Sequence, residues 1–308
     1  MKTNSLAAWI LAVRPYSLVN AVILVGVGSA LACSEGGFRA LPALLCLLFA
    51  VLMQCTANLV NDLCDFRKGA DRPDRLGPDR AVAKGYITQR ALRIGIAGFT
   101  AAAILAGVGL LLDARQHLVL PWGGWELAAV GAACVLFAYL YTAGPCPLAY
   151  LGLGDAAVIL FFGVVPVTLT CFLQTGRWST ASLIASAACG LAIDTMLMIN
   201  NFRDRDEDAR CRKRTLVVRF GARFGSWGYC LLGAGAVGWT LALLGCGYRF
   251  GALLPLGYLP LHLATWRKMV RIDRGAALNR CLGETARNIT LFGLLLTAGL
   301  LLDRLIRC

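Results

Sequence analysis

Apolar residues form long runs along the chain, and polar residues collect in the stretches between them. The runs at 41–59, 94–112 and 127–141 are typical. A helix that crosses a bilayer needs about 20 mostly apolar residues, so the pattern predicts an all-α, polytopic membrane protein. We count nine candidate spans, at residues 8–32, 41–62, 92–112, 125–142, 154–174, 181–202, 225–246, 250–269 and 288–302.

The composition agrees with this prediction and excludes an ordinary soluble domain. Hydrophobic residues make up 58% of the chain and charged residues only 15%, against about 25% charged residues in soluble domains. The first apolar run is interrupted by Arg14 and Pro15, which is not the pattern of a cleavable signal peptide. No connection between spans is long enough for a soluble domain, so we expect one membrane domain over residues 1–308.

The formal charge of +13 would suit a nucleic-acid-binding protein if the bases shared one soluble face. The bases lie instead between the apolar runs, so we expect contact with a lipid bilayer and none with nucleic acid. With the N-terminus placed inside, 24 of the 30 Lys and Arg residues fall in inner segments and 6 in outer ones. Cytoplasmic loops are enriched in these residues, so both long polar stretches are predicted to be cytoplasmic, with the C-terminus outside.

The 13 cysteines do not follow a metal-site or disulfide pattern. Most of them lie inside apolar runs and show no repeated CxxC pairing. Small thiols packed between helices, in the reduced state, are the simplest interpretation.

Two polar stretches each close an apolar run with acids and amides. The first, NLVNDLCDFRKGADRPDRLGPDR at 58–80, places Asn58, Asn61, Asp62 and Asp65 at i, i+3, i+4 and i+7. That spacing puts them on one face of a helix. At a helix end we expect these acids to be exposed and to contribute little to packing.

The second stretch, MINNFRDRDEDARCRKRTLVVRFG at 198–221, repeats the arrangement. It places Asn200, Asp204 and Asp208 at i, i+4 and i+8, with Asn201 beside them. Both clusters close even-numbered spans and so belong to the same side of the membrane. The two halves of the chain therefore look like related units.

Carboxylate and amide oxygens are the ligands that Mg²⁺ prefers, often together with substrate phosphates. Bases follow both clusters, and Arg80, Lys84, Lys213 and Arg214 are candidates to bind phosphate oxygens. The combination predicts a lipid diphosphate bound through magnesium. Solvated loops with interspersed salt bridges are the alternative, and each base by itself also fits a cytoplasmic loop.

These stretches resemble the UbiA superfamily of intramembrane aromatic prenyltransferases. The first has the form N-x-x-N-D-x-x-D, then G-x-D and R-x-G-P-x-R, and is similar to the subfamily that acts on 1,4-dihydroxy-2-naphthoate. Ubiquinone-type members carry a further Asp at the position of Gly69; here Asp71 comes two residues later. The second resembles N-N-x-R-D-x-x-x-D with a following G-K-x-T-L-x-V-R-x-G, except that Arg212 replaces the usual Gly. A third stretch, YTAGPCPLAYLGLGDAAVILFFG at 141–163, is also similar to this subfamily.

The resemblance implies helices around a central cavity in a bacterial cytoplasmic (inner) membrane. It implies transfer of a polyprenyl group from its diphosphate to 1,4-dihydroxy-2-naphthoate, with loss of CO2, to give demethylmenaquinol for menaquinone synthesis. Two Mg²⁺ ions are expected, with Asp62 and Asp204 as catalytic acids. The expected metal ligands are Asn58, Asn61, Asp62 and Asp65 on the first motif, and Asn200, Asp204 and Asp208 on the second.

Further polar and aromatic residues in or near the spans are candidates for substrate contacts. Tyr139 and Tyr141 can face an allylic cation, although tyrosines at a membrane interface are equally expected. Ionisable groups inside a membrane suggest function: Asp155 and Asp194 are candidate catalytic groups, and Arg14 and Asn20 are candidate substrate-binding residues. Helix packing or loop capping is the alternative for each.

Two other functions remain open at this point. One is a transferase of the same family with another aromatic acceptor, such as 4-hydroxybenzoate or homogentisate. The other is a transporter with internal repeats, which would place interrupted helices at the middle of the bilayer. The two motifs lie at the membrane boundary instead.

Overall fold

The computed structural model describes residues 1–69 and 76–307, and regular structure there is helical. It comprises twelve α-helices, a π-helical turn at Leu160–Val164 and 3-10 segments at Leu148–Tyr150, Leu241–Cys246 and Leu254–Tyr258. The α-helices are α1 Leu6–Val13, α2 Pro15–Ser34, α3 Ala40–Arg67, α4 Gln89–His117, α5 Trp125–Leu140, α6 Gly154–Ile159, α7 Val165–Thr175, α8 Thr180–Arg210, α9 Leu216–Thr240, α10 Arg249–Leu253, α11 Leu259–Ile272 and α12 Leu278–Arg307. The all-α, polytopic prediction is confirmed.

The predicted count of nine spans is slightly too high by length and hydropathy. Seven helices in the described residues are long and apolar enough to cross a membrane: Pro15–Ser34, Ala40–Arg67, Gln89–His117, Gly154–Thr175, Thr180–Arg210, Leu216–Cys246 and Leu278–Arg307. Helix α5 is apolar but has only 16 residues. The expected span 250–269 is divided into α10, a 3-10 segment and α11, because Pro255 and Pro260 each begin a new helical segment.

One end of the bundle, here called the motif end, collects the N-terminus and both acidic motifs. Four hydrogen bonds join the segments there: Asn4 to Tyr86, Lys68 to Thr142, Arg214 to Tyr150 and Asn279 to Leu76. The opposite end, here called the far end, is joined by contacts of Arg39 with Asp113, Arg304 with Cys33 and the Arg249 amide with Asp303. The two termini therefore lie at opposite ends of the bundle.

Several helices begin at hydroxyl caps, which fixes where the polar connections end. Thr88, Ser179 and Thr215 accept hydrogen bonds from the first turns of α4, α8 and α9. Each such cap contributes about 1 kcal/mol. The end of α8, which carries the second motif, is thereby tied closely to the start of α9.

The first predicted span, 8–32, is divided at Arg14 into α1 and α2. Arg14 has φ of 54°, in the left-handed region, and Pro15 starts α2. Proline has no N–H to continue the α1 ladder and fits the first position of a new helix. The break turns the Arg14 side chain towards α3, where it meets the first motif.

A second break lies in the span 154–175, where α6 and α7 are joined by the π-helical turn. Inside this turn Phe162 has φ of −114°, outside helical values. The neighbouring Gly163 lies so close to α8 that an added Cβ would come within 2.3 Å of Gly190. Because both contacting residues lack side chains, the turn packs directly on α8 and directs Phe161 and Phe162 towards α5.

The twelve cysteines in the described residues are free thiols, and Cys46, Cys55, Cys171, Cys189, Cys230 and Cys281 are buried. This agrees with packing thiols inside the helices rather than a disulfide framework.

The distribution of Lys and Arg predicts that the motif end of the bundle faces the cytoplasm and the far end faces outward. Cys146 lies exposed in the connection after α5, at the motif end. If that end is cytoplasmic, an impermeant maleimide should label Cys146 in inverted vesicles and not in intact cells, as read by mass spectrometry of its peptide. A Val119→Cys variant is the control, since Val119 is 94% exposed between α4 and α5 at the far end. Labelling of Cys146 from outside would reverse the orientation.

Candidate active site

A cavity of about 470 Å³ opens at the motif end between α2, α3, α5, α6, α8 and α12. It is lined by most of the residues that the sequence singled out. These are Arg14, Asn20, Asn58, Asn61, Asp65, Arg80, Tyr141, Asp155, Asn200, Asp204, Asp208 and Lys213. Because the two motifs face each other across it, the paired arrangement in the sequence corresponds to a single site.

Five of the predicted site residues do not line this cavity. Lys84 is half exposed and pairs with Asp79 at 3.4 Å. Tyr139 bonds to Thr100 at 2.8 Å and packs with the first helix and α3. The other three are Asp62, Asp194 and Arg214. Asp71 and Arg75 of the first motif lie outside the described residues.

Asp62 is the most buried acid of the first motif, at 1% exposure. Two arginines hold it: Arg14 from the break between α1 and α2, and Arg80, at 2.6 Å, from the connection before α4. Arg80 also reaches Asp65 at 3.5 Å. The expectation of an exposed acid was therefore wrong for Asp62, because the connection folds back over the helix end and covers it.

Asn58 lies one turn earlier on α3 and is fixed by its amide. Its Nδ2 donates to the carbonyl of Val13 and to Ser17 Oγ, both at 2.9 Å. Its Oδ1 accepts from Gln54 Nε2 at 3.3 Å. The oxygen, which has a second lone pair besides the one that Gln54 uses, is the atom of this side chain that could bind a metal ion.

The second motif has its own arginine. Arg203 donates to both oxygens of Asp204 at 2.6 Å, in a two-pronged contact, and to Asn279 Oδ1 at 2.9 Å. Asn279, at the start of α12, donates in turn to the carbonyl of Leu76 at 2.7 Å. Side chains of α8 and α12 thus hold the polypeptide at Leu76, in the connection between α3 and α4.

Asp208, one turn further along α8, pairs with Lys213 at 3.1 Å. Its other oxygen is buried and has no hydrogen-bond partner among the described residues. Burial alone would lower the pKa of the Lys213 ammonium, but the Asp208 and Asp65 carboxylates outweigh it and raise that pKa above its ordinary value. Lys213 therefore stays charged between the two clusters.

A third group of side chains lies deeper in the cavity, around Tyr141. The Tyr141 ring lies 5.6 Å from that of Phe137, and its hydroxyl rests against Gly154, where a Cβ would come within 3.4 Å. Asp155 follows Gly154, and one of its oxygens is buried without a hydrogen-bond partner in the described part of the chain. The same holds for Asp194 on α8. Asp155 thus offers this part of the cavity a hydrogen-bond acceptor, while Asp194 is not among the lining residues.

Tyr150 lines the same cavity and is covered by a base. The Lys68 ammonium lies 4.1 Å from the centre of its ring and donates to the Thr142 carbonyl at 2.8 Å. Burial raises the pKa of the Tyr150 phenol above its ordinary value, so the ring stays neutral.

The departure from the family pattern at Arg212 has a clear structural consequence. Arg212 has φ of 56°, in the left-handed region that favours glycine. The connection therefore keeps the backbone shape that a Gly would adopt, with Arg212 bearing a small strain. In this shape the Lys213 N–H donates to the Asp208 carbonyl at 2.8 Å, and the lysine side chain remains beside the acid.

The donor chemistry fits a hard divalent cation. No compact group of three acidic, His or Cys side chains is found in the described residues, because the acids are drawn to bases instead. Both clusters nevertheless present carboxylate and amide oxygens to one cavity, and the buried second oxygen of Asp208 lacks a partner there. Magnesium needs few protein ligands when a diphosphate supplies the rest, so these residues suit it.

Sequence reasoning missed several residues of the site. Arg203 stands inside the second motif, in N-N-x-R-D, so the resemblance marks this position, although the prediction gave it no role. Asn279, Gln54 and Lys68 carry no local pattern that separates them from other polar residues. They are recognisable only from contacts with distant segments.

The comparisons agree with this geometry. Residues 21–296 match the model of the UbiA prenyltransferase family. The chain is 35% identical to a 1,4-dihydroxy-2-naphthoate octaprenyltransferase of Escherichia coli (strain K12), over 96% of each chain. It is 38% identical to one of Mycobacterium tuberculosis, over 70% of this chain and 71% of that one. A UbiA homologue of Archaeoglobus fulgidus, bound to GPP and Mg²⁺, shares the fold with a TM-score of 0.61 at 14% identity, over 94% and 99%. The chain therefore belongs to the UbiA prenyltransferase family.

Proposed function

We propose that this protein transfers a polyprenyl group from a polyprenyl diphosphate to 1,4-dihydroxy-2-naphthoate, with loss of CO2, in the synthesis of menaquinone. One observation carries the proposal: acids, amides and bases of two motifs line one cavity at the end of an apolar bundle. The naphthoate acceptor is supported by relatives of that name at 35–38% identity over 70–96% of the chain.

The diphosphate would lie between the two motifs, where cationic groups face the cavity from three segments. Arg14, Arg80 and Lys213 all line it. Arginine can bind phosphate oxygens with two parallel hydrogen bonds, while lysine acts as a compact charge. The negative charge that develops on the leaving diphosphate is thus met by groups already in position.

Magnesium, when bound, would neutralise the diphosphate and stabilise its departure as a Lewis acid. We assign Asn58, Asn61, Asp62 and Asp65 to one ion. A second set comprises Asn200, Asp204 and Asp208.

In the structure the acids of both sets already form ion pairs with bases. Binding of the metal and the diphosphate must therefore exchange the partners of these acids. We propose that Arg14 and Arg80 turn from Asp62 to the phosphate oxygens while the acid turns to the metal. Each guanidinium then keeps an anionic partner, and so does the carboxylate. Arg203 would do the same opposite Asp204.

The acceptor would lie deeper, between the diphosphate and Tyr141. The allylic cation forms as the bond from C1 to the diphosphate breaks, and the Tyr141 ring stabilises it by cation–π attraction of about 0.5–2 kcal/mol. The ring carbon bonds to C1, and the electron pair released with CO2 restores aromaticity. Asp155 would accept a hydrogen bond from a ring hydroxyl, with Asn20 near the acceptor carboxylate.

The protein would work in the cytoplasmic membrane, with the motif end inside, where soluble diphosphate can leave. A transporter is less well supported, since the polar groups of the motifs collect at one end of the bundle rather than at its middle. Another aromatic acceptor is the remaining alternative.

An acceptor competition tests the proposal. Membranes supplied with octaprenyl diphosphate and Mg²⁺ should prenylate 1,4-dihydroxy-2-naphthoate and release one CO2 per product, as measured with carboxyl-labelled acceptor. Equal or better turnover of 4-hydroxybenzoate, with its carboxylate retained, would assign the protein to the alternative acceptor class.

Replacing an acid of the second motif tests the metal assignment. Asp204→Asn keeps the shape but removes one charge, so we expect kcat to fall about 100-fold and the Mg²⁺ concentration for half-maximal activity to rise. Asp206→Asn is the matched control on the same helix. The Asp206 side chain is 60% exposed, and its ion pair with the exposed Arg274, at 3.6 Å, lies on the surface. Unchanged magnesium dependence in Asp204→Asn, or an equal loss in Asp206→Asn, would refute the assignment of Asp204 to the metal.

A further inference from the structure

The acceptor of the proposed reaction carries a carboxylate, and the bases of the active-site cavity are already committed to other anions. Four bases stand in the described lining, and each pairs with an acid of a motif: Arg14 and Arg80 with Asp62, Arg203 with Asp204, and Lys213 with Asp208. In the proposed reaction these bases serve the diphosphate. A second anion that enters an apolar bundle without a cation of its own is costly to bury, so the acceptor needs a further base.

Arg287, on α12, is a base without an acid. It is exposed, and its side chain forms no ion pair or hydrogen bond with the described residues. It lies nine residues after Leu278, about 14 Å along a helix that is long and apolar enough to cross a membrane. An ionisable residue at such a depth is a candidate for function, and an arginine that reaches out to lipid headgroups is the alternative.

The active-site cavity reaches the surface of the bundle between α2 and α12. The two helices are in direct contact where an added Cβ at Gly293 would overlap Ile23. Nearer the motif end, Tyr16 of α2 and Gly283 of α12 both line the cavity, and both are exposed, Tyr16 to 56%. The helices therefore separate towards the motif end and leave an opening.

Arg287 stands at the α12 edge of this opening. It comes one turn after Gly283 and directly after Ala286, which also lines the cavity. Side chains on a helix lean towards its N-terminus, so Arg287 extends over the turn at Gly283. An added Cβ at Gly283 would meet nothing within 4 Å, which leaves room for a ligand beside the guanidinium. Asn20 lines the cavity from α2, one turn before Ile23.

We propose that Arg287 binds the carboxylate of the aromatic acceptor, with Asn20 on the other side of the opening. An arginine can hold both oxygens of a carboxylate through two parallel hydrogen bonds, and this one gives up no acid partner to do so. The inference rests on the proposed function, which supplies an acceptor with a carboxylate. It makes Arg287 a specificity-determining residue that favours an acidic ring over a neutral one.

Three variants separate this role from a general effect of charge. Arg287→Gln removes the charge, and Arg287→Lys keeps it. Arg280→Gln is the matched control, because Arg280 is exposed on the same face of α12, two turns nearer the motif end, and is not part of the cavity lining. Its side chain also has no partner among the described residues.

The first measurement is a fluorescence titration of purified protein in nanodiscs of uncharged lipid, with Mg²⁺ and inorganic pyrophosphate present. The probes are 1-hydroxy-2-naphthoate and 1-naphthol, which differ by the carboxylate. We expect Arg287→Gln to weaken binding of the acid about tenfold or more, because a charge-assisted hydrogen bond is lost, and to change binding of the naphthol less than about twofold. Arg287→Lys should keep most of the affinity for the acid, and Arg280→Gln should match the wild type.

The second measurement is steady-state prenylation of 1,4-dihydroxy-2-naphthoate. The ion pair with Arg287 exists before CO2 departs and weakens as the carboxylate loses its charge, so it contributes to binding of the acceptor rather than to the chemical step. Arg287→Gln should therefore raise the KM for the naphthoate about tenfold. The kcat and the KM for octaprenyl diphosphate should stay within about twofold of the wild type.

Three results would overturn the proposal. If Arg287→Gln binds the acid as the wild type does, or if Arg280→Gln weakens it equally, Arg287 is one of several bases that contact lipid headgroups. If both probes weaken equally, the substitution distorts the cavity. If the KM for octaprenyl diphosphate rises instead, Arg287 belongs to the donor. The proposed function is judged separately: wild-type protein that prefers the acid to the naphthol but does not prenylate the naphthoate would refute the reaction, while the variants still decide the role of Arg287.

Discussion

A carboxylate that is buried at the end of an apolar bundle needs a cation beside it, and the motif end supplies one to Asp62, Asp65, Asp204 and Asp208. Asp62 is 1% exposed and lies between Arg14 and Arg80. Removing one partner from such a buried pair typically costs about 3–5 kcal/mol. The break before α2 and the connection before α4 are thereby fixed in place, because each brings one of these arginines to α3.

The same arrangement accounts for the proposed activity. The bases that pair with the acids in the absence of substrate are also the groups that a diphosphate requires, so binding exchanges partners instead of creating new charges. Buried ion pairs contribute little net stability compared with apolar packing, and this makes the exchange less costly. The apolar helices supply dry space in which the electrostatic contacts are strong.

Local patterns predicted most of this architecture. Long apolar runs, a 3.6-residue spacing of acids and the segregation of bases are readable without tertiary structure. Features that depend on distant contacts were not readable: the burial of Asp62, the link from Arg203 to Asn279, and the position of Tyr139 away from the cavity. The span expected at 250–269 is a broken helix, because its prolines divide it while its hydropathy stays high.

The most direct measurement of the central claim, that each motif holds one metal ion over a shared diphosphate, is a count of bound Mn²⁺ by electron paramagnetic resonance. With octaprenyl diphosphate present and no acceptor, the wild type should bind two Mn²⁺ ions per chain, coupled magnetically through the shared diphosphate. Asp204→Asn should bind one, without coupling, and Asp206→Asn should bind two. A single ion in the wild type, or two coupled ions in Asp204→Asn, would contradict the account.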